Sequence, residues 1–189
     1  MLSTEDKNAL QFARGYYGLE MYAAAEAELK RGSGRSQQHP DYLELWSLLH
    51  ASRGEWTKSL ECAELLIEAE PNHPAGFNLK ADAIRRTHPD GALAAYQVLI
   101  EVVGQFPWCG YLKYNLCCHL ATARRLTLAR RWLVRCFRDS IGSNDEGYYQ
   151  NVAYRDPDLR PLWPELSRIN EIAVRLNERN KRKWEECRE

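Results

Sequence analysis

An all-α repeat protein is the fold class this sequence predicts, and three observations carry the prediction. The first is self-similarity. Phe12 and Trp46 lie 34 residues apart, and Ala13 and Ser47, Tyr16 and His50, Ala25 and Ser59, and Leu29 and Ala63 keep that interval. A further 34 residues reaches Lys80, Ala81 and Ile84, and 36 more reaches Leu116, Cys117 and Leu120. The second is periodicity. Apolar residues in each unit return at i, i+3, i+4 and i+7, the stripe of an amphipathic helix, and no segment alternates with the period of two that a half-buried strand needs. The third is punctuation: Pro40 and Pro74 are 34 apart and Pro71 and Pro107 are 36 apart, so helix breakers fall on the same beat.

Each unit reads as two helices joined by a short turn. Unit one pairs residues 4–17 with 21–32. In unit two the first helix is PDYLELWSLLHASR, residues 40–53, with Pro40 suited to its first turn and Gly54 placed where a helix end takes positive φ. The second helix, over 56–69, is stopped by Pro71. Unit three pairs 74–87 with 89–104, and unit four pairs 108–123 with 126–138. The four units thus occupy about 4–37, 40–71, 74–105 and 108–140. Residues 139–156 read as a linker, and 157–189 as a C-terminal capping helix with a charged tail. Pro164 opens that helix, with Leu166, Ile169, Ala173 and Leu176 on one stripe. Beyond Asn177 the run NERNKRKWEECRE is polar apart from Trp184, which is placed either to fray or to dock on another chain. A single unit of this kind cannot bury its apolar face; stacked units bury a continuous core and need caps at their ends.

Composition bounds the function. A chain of 189 residues, 44% apolar and 28% charged, is globular rather than disordered. No apolar run reaches 18 residues and MLSTEDKNAL lacks a basic-then-apolar leader, so neither a membrane span nor a secretory signal is expected. Cys62, Cys109, Cys117, Cys118, Cys136 and Cys187 form no CxxC and mostly sit in apolar helical patterns, as expected of reduced thiols in a cytoplasmic protein. Net charge is zero, yet residues 1–70 hold seven Lys/Arg against twelve Asp/Glu, and 71–189 hold nineteen against fourteen. That asymmetry offers a route to a homo-oligomer. The neutral total argues against a nucleic-acid binder, whose footprint is strongly basic.

The stretch YNLCCHLATARRLTLARRWLVRCF, from Tyr114 to Phe137, is where metal or thiol chemistry has to be weighed. Cys117 falls in the register of Ala13, Ser47 and Ala81, where paired helices touch and a small residue is needed; a free cysteine serves as a small hydrophobe. Cys118 lies about 100° further round the helix and His119 further still, so the three do not converge on a tetrahedral metal. Helical neighbours do not face each other as nucleophile and base either. No paired carboxylates, P-loop or GxSxG motif occurs. The expectation is no catalytic residue, no metal and no cofactor, with a reactive Cys118 as the remaining enzymatic alternative. Arg131, Arg135 and Arg138 share helical spacing and make a basic stripe, within a run of six arginines that also holds Arg124, Arg125 and Arg130. Its alternatives are a solvated face, nucleic acid, or the acidic half of another copy.

The repeat pattern resembles the tetratricopeptide-repeat (TPR) family, with its W-x2-L-G-x2-Y, A-x3-F and P positions. Unit two offers Leu43, Trp46, Ser47 and His50, then Gly54, Ser59, Ala63 and Pro71. Unit three offers Phe77, Ala81 and Ile84, then Ala92 and Tyr96, with a one-residue slip in its turn. Unit four offers Leu116, Cys117 and Leu120, then Ala129 and Leu133, and unit one offers Phe12, Ala13 and Tyr16, then Ala25 and Leu29. The fourth unit and the ending RDPDLRPLW look like the terminal repeat of bacterial members. The resemblance implies a right-handed superhelical solenoid that acts in protein–protein interaction, taking a peptide or helix in a groove lined by the first helices. It places Lys7, Arg14 and Tyr17 inward in unit one, Glu44, Leu48 and Ala51 in unit two, Asn78, Asp82 and Arg85 in unit three, and Tyr111, Tyr114, Asn115 and Cys118 in unit four. Relatives that grip a C-terminal carboxylate carry lysine at a position held here by Leu10, Glu44, Asn78 and Tyr114, a departure from that activity.

Overall fold

The structure is a computed structural model that describes residues 2–186, apart from the side chains of Trp184 and Glu186. The expected role of Trp184 and the thiol of Cys187 lie outside the described residues. The helices are α1 (Thr4–Gly18), α2 (Tyr22–Arg31), α3 (Pro40–Ser52), α4 (Trp56–Ala69), α5 (Pro74–Thr87), α6 (Gly91–Val102), α7 (Gly110–Thr122), α8 (Leu126–Ser140), α9 (Tyr148–Ala153) and α10 (Leu166–Glu186). A 3-10 turn, Ser36–Gln38, precedes α3, and a longer 3-10 segment, Pro157–Glu165, leads into α10. There is no strand among the described residues. Contacts divide the chain into an N-terminal unit, up to Val98, and a C-terminal unit, from Leu99, with α6 running across the division.

Local chemistry sets the helix ends. Ser3 and Asp6 form a reciprocal capping box: the Asp6 N–H donates to Ser3 Oγ at 3.1 Å and the Ser3 N–H donates to Asp6 Oδ2 at 3.2 Å. Pro40 and Pro74 open α3 and α5, and the residue before each is a histidine with extended backbone, the conformation a following proline favours. His39 and His73 then cap through Nδ1, which accepts from the N–H of Asp41 and of Ala75 at 3.3 Å in each case. Between paired helices the chain turns through the left-handed region at Glu20 (φ 58°), Gly54 (φ 73°) and Arg124 (φ 60°). These three share one repeat position, and only one of them is glycine.

In the N-terminal unit, α1 pairs with α2, α3 packs on α4, and α4 packs on α5; the first helices α1, α3 and α5 also lie side by side. Its core joins Leu10, Ala13, Ala25, Leu29, Tyr42, Leu45 and Leu49 in one cluster and Leu43, Ala63, Leu66 and Leu79 in another. The small register positions Ala13, Ser47 and Ala81 are fully buried. The Ser47 hydroxyl donates to the Ser59 carbonyl of the paired helix at 3.0 Å, which only a small residue at such a close crossing allows. Asp6 ties the first repeat to its successor: its carboxylate accepts from the Ser33 N–H at 2.9 Å, and its carbonyl accepts from the Tyr42 hydroxyl at 2.8 Å. The hydrogen bonds to its carboxylate hold the Asp6 carboxyl below the usual range, at about 2.

The C-terminal unit is built on the α7–α8 pair, with α10 packed on α8 and the 3-10 segment laid on α7. Cys117 is fully buried, like its register partners. Three expectations are corrected. Residues 139–156 are not a plain linker: they carry α9, which packs on α8, and its Tyr149 ring comes so close to Gly110 that an added Cβ there would lie 2.6 Å from it. Pro164 does not open the last helix. With Pro157 and Pro161 it belongs to the 3-10 segment, since prolines spaced this way deny the N–H groups an α-helix needs, and α10 begins at Leu166. The second helix of the third repeat begins at Gly91 rather than residue 89, because the backbone at Gly91 runs against the last turn of α5; a Cβ there would meet the Arg85 carbonyl.

Candidate functional site

The expected groove residues fall into two groups with different surroundings. In the N-terminal unit, a cleft of about 250 Å³ lies across α1, α3 and α5. It brings together Tyr17, Leu48, Ala51, Asp82 and Arg85 of the expected set, with Ser52, Trp56, Ser59, Leu79 and Arg86 completing the walls. The floor is apolar and half-buried. The rim is charged, and Arg86 sits over the Trp56 ring at 5.3 Å from its centroid, a cation–π contact that orients both side chains. Burial pushes the Tyr17 hydroxyl pKa up, so it is neutral and able to donate. Asn78, on the same helix as Asp82 and Arg85, is half-buried and not among the lining residues of this cleft. Arg14 lies in a neighbouring depression of about 380 Å³ with Lys7, Leu10 and His39. Its guanidinium reaches Asp41 at 2.7 Å and Glu44 at 3.4 Å. These pairs are half exposed and add little stability, but they fix where the cation stands. Trp56, Leu79 and Arg86 have no inward place in the repeat register, because they belong to α4 or to flanks of α5; only packing turns them to the cleft.

In the C-terminal unit the corresponding surface is covered. Tyr114 is 6% exposed and Cys118 4% exposed, so neither lines an open groove. The chain covers them itself: the Tyr114 hydroxyl donates to Asp156 Oδ2 at 2.9 Å, the Cys118 thiol donates to the same oxygen at 3.4 Å, and the Tyr114 ring stacks on Tyr149 at 5.5 Å. Leu159 and Leu162 of the 3-10 segment are fully buried beyond them. Tyr111 and Asn115 remain half-buried on α7. The ending RDPDLRPLW marks this occupant in the sequence, but not the place where it lies.

Asp156 sits in a group of possible ligand side chains. Cys118, Asp156 and Asp158 hold three possible ligand atoms within 4.8 Å of one another. Asp156 spends its oxygens otherwise: Oδ1 accepts from the Asp158 N–H at 2.9 Å, capping the 3-10 segment, while Oδ2 accepts from Tyr114 and Cys118. Burial raises the Cys118 pKa well above its ordinary value, and the neighbouring Cys117 and Asp156 raise it further. The thiol therefore stands as a protonated donor to Asp156. His119 is buried at 1% exposure on the same helix.

The arginine stripe is partly consumed by structure. Arg130 pairs with Glu165 at 2.6 Å, the Arg135 guanidinium lies 4.6 Å from the centroid of Trp132, and Arg138 pairs with Asp139. Asp139 also receives the buried ammonium of Lys113 at 2.7 Å, a contact that sequence spacing did not suggest. Among the described residues, Arg124, Arg125 and Arg131 form no such ion pair, and all three stay exposed.

No family model matches the sequence, and no curated protein matches it. The structure, however, has the fold of a tetratricopeptide-repeat protein: all-α, with successive antiparallel helices. It is similar to the crystal structure of a thermophilic TPR protein from Thermus thermophilus, with 19% sequence identity, 89% of this chain and 98% of that chain covered, and a TM-score of 0.64. No helix among the described residues is long and apolar enough to cross a membrane.

Proposed function

We propose that this protein is a non-catalytic adaptor whose N-terminal unit holds a peptide or short helix of a protein partner along α1, α3 and α5. The observation that carries the reading is the cleft bounded by Tyr17, Leu48, Trp56, Leu79, Asp82 and Arg85, drawn from three consecutive repeats. Its size suits one large apolar side chain, and its rim offers both signs of charge to the flanking backbone and side chains. The cleft sits on helices already fixed by the core, so binding spends little ordering entropy. The covered face of α7 supports the same reading from the other side: there an apolar and acidic segment, with Asp156, Leu159 and Leu162, is what such a surface accepts. The buried, protonated Cys118 supports the non-catalytic part.

Peptides selected from a random library on the intact chain, and titrated calorimetrically, test this. Leu48→Glu is expected to weaken the enriched peptides at least about tenfold, the effect of one buried anchor lost, with helical content unchanged. Undiminished binding to Leu48→Glu and Arg85→Ala would place the site elsewhere.

A further inference from the structure

The outer edge of α1 repeats a packing surface that α3 uses. Along α3, the stripe Tyr42–Trp46–Leu49–Arg53 is the side that meets the preceding repeat. The Tyr42 hydroxyl reaches the Asp6 carbonyl, the Trp46 indole N–H donates to Gln37 Oε1 at 2.8 Å, and Arg53 pairs with Glu26 of α2 at 2.8 Å. Thirty-four residues earlier the same stripe is Asn8–Phe12–Gly15 on α1, with Leu19 just past its end. It is bare: Phe12 is 57% exposed, Leu19 is 71% exposed, and an added Cβ at Gly15 would meet nothing within 4 Å. Beside it runs a cleft of about 420 Å³ lined by Glu5, Asn8, Ala9, Phe12, Glu28 and Arg31.

We infer that this edge is the interface of a twofold homodimer, with α1 packed antiparallel on α1 of a second copy. The edge is self-complementary in shape. An axis passing midway between residues 12 and 15 sets the Phe12 ring of each copy against the missing side chain at Gly15 of the other, and Leu19 against Asn8. A knob and its hole on the same stripe are what an isologous interface requires. It is also complementary in charge. Arg31 stands at the end of the edge near Glu5 and the start of α1, whereas Glu20 stands at the opposite end, in the α1–α2 turn. The antiparallel operation brings Arg31 of each copy towards Glu20 of the other. Arg31 is 71% exposed on its side chain and bonded to Glu28 at 3.0 Å, a contact that holds it in place for a second carboxylate.

Sedimentation equilibrium of the full chain, from micromolar to millimolar, tests the inference. The wild type is expected to reach a dimer and no higher species. Phe12→Glu should raise the dissociation constant at least about thirtyfold, the effect of removing a central aromatic anchor. Gly15→Leu leaves the isolated chain unhindered, since the site is open, and should abolish the dimer by filling the hole. Arg31→Glu should weaken association, and adding Glu20→Arg should restore it. A wild type that is monomeric throughout overturns the inference. So does association unchanged by Phe12→Glu and Gly15→Leu with helical content retained.

Discussion

At the level of single residues, the turn position shared by Glu20, Gly54 and Arg124 separates what repetition demands from what a side chain prefers. All three adopt positive φ because the paired helices must reverse within a few residues. Glycine does so without a Cβ penalty, whereas a side chain costs about 1 kcal/mol there. Arg124→Gly is therefore expected to stabilise the C-terminal unit by about 1 kcal/mol, and Gly54→Ala to destabilise the N-terminal unit by a similar amount. Urea denaturation followed by circular dichroism measures both, and a destabilised Arg124→Gly would mean that the Arg124 side chain makes contacts worth more than its strain. The cysteines teach a parallel lesson. Register alone placed Cys117 at a helix contact, and it is fully buried there. Register also pointed Cys118 inward, and what its thiol meets is Asp156 rather than an open groove.

Among the elements, the segment from α9 to the start of α10 is the part least legible in the sequence. It has no helical period, three prolines and many polar residues, so local rules give a linker and a turn. Its position depends on a few long-range bonds, above all the Asp156 carboxylate with its three donors. Asp156→Ala would strand a buried hydroxyl and remove the cap at Asp158, a combined cost of about 2 kcal/mol. Hydrogen exchange should then rise over residues 154–166 and on α7, with α1–α4 unaffected. Equal protection in the variant and the wild type would show that Leu159 and Leu162 hold the segment by themselves. The helices of the repeats behave oppositely. Their apolar stripes, proline starts and turn residues agree at every level, so the ends of the eight repeat helices fell within two residues of expectation.

Over the molecule as a whole, contacts divide the chain into two units, and in repeat proteins stability is expected to be largely local. Acid should reveal it. Asp6 and Glu26 both lie in the N-terminal unit with carboxyls held down to about 2, Asp6 chiefly by the Ser33 N–H and Ser3, and Glu26 chiefly by Arg53 and Lys30. A depressed folded-state pKa contributes stability that is complete above the unfolded value, near 4, and is lost as pH falls towards 2. The N-terminal unit is therefore expected to lose stability across that window, and Asp6→Asn to lower stability at neutral pH while flattening the acid dependence. Urea midpoints measured from pH 6 to 2 check this; an Asp6→Asn profile as steep as the wild type would assign the acid transition to other groups.

Period and local propensity were enough to settle the class of fold, the number and limits of the repeat helices, and which small residues sit at helix crossings. Each of these signals recurs four times along the chain, so the repeats reinforce one another. Which part of the inward face stays open was decided by tertiary packing alone. Tyr17, Leu48, Asp82 and Arg85 share a cleft with Trp56 and Arg86, while Tyr114 and Cys118 are sealed by residues some forty positions away in the chain. A repeat pattern fixes the direction in which a side chain points; what stands in front of it is set by long-range contacts that carry no period.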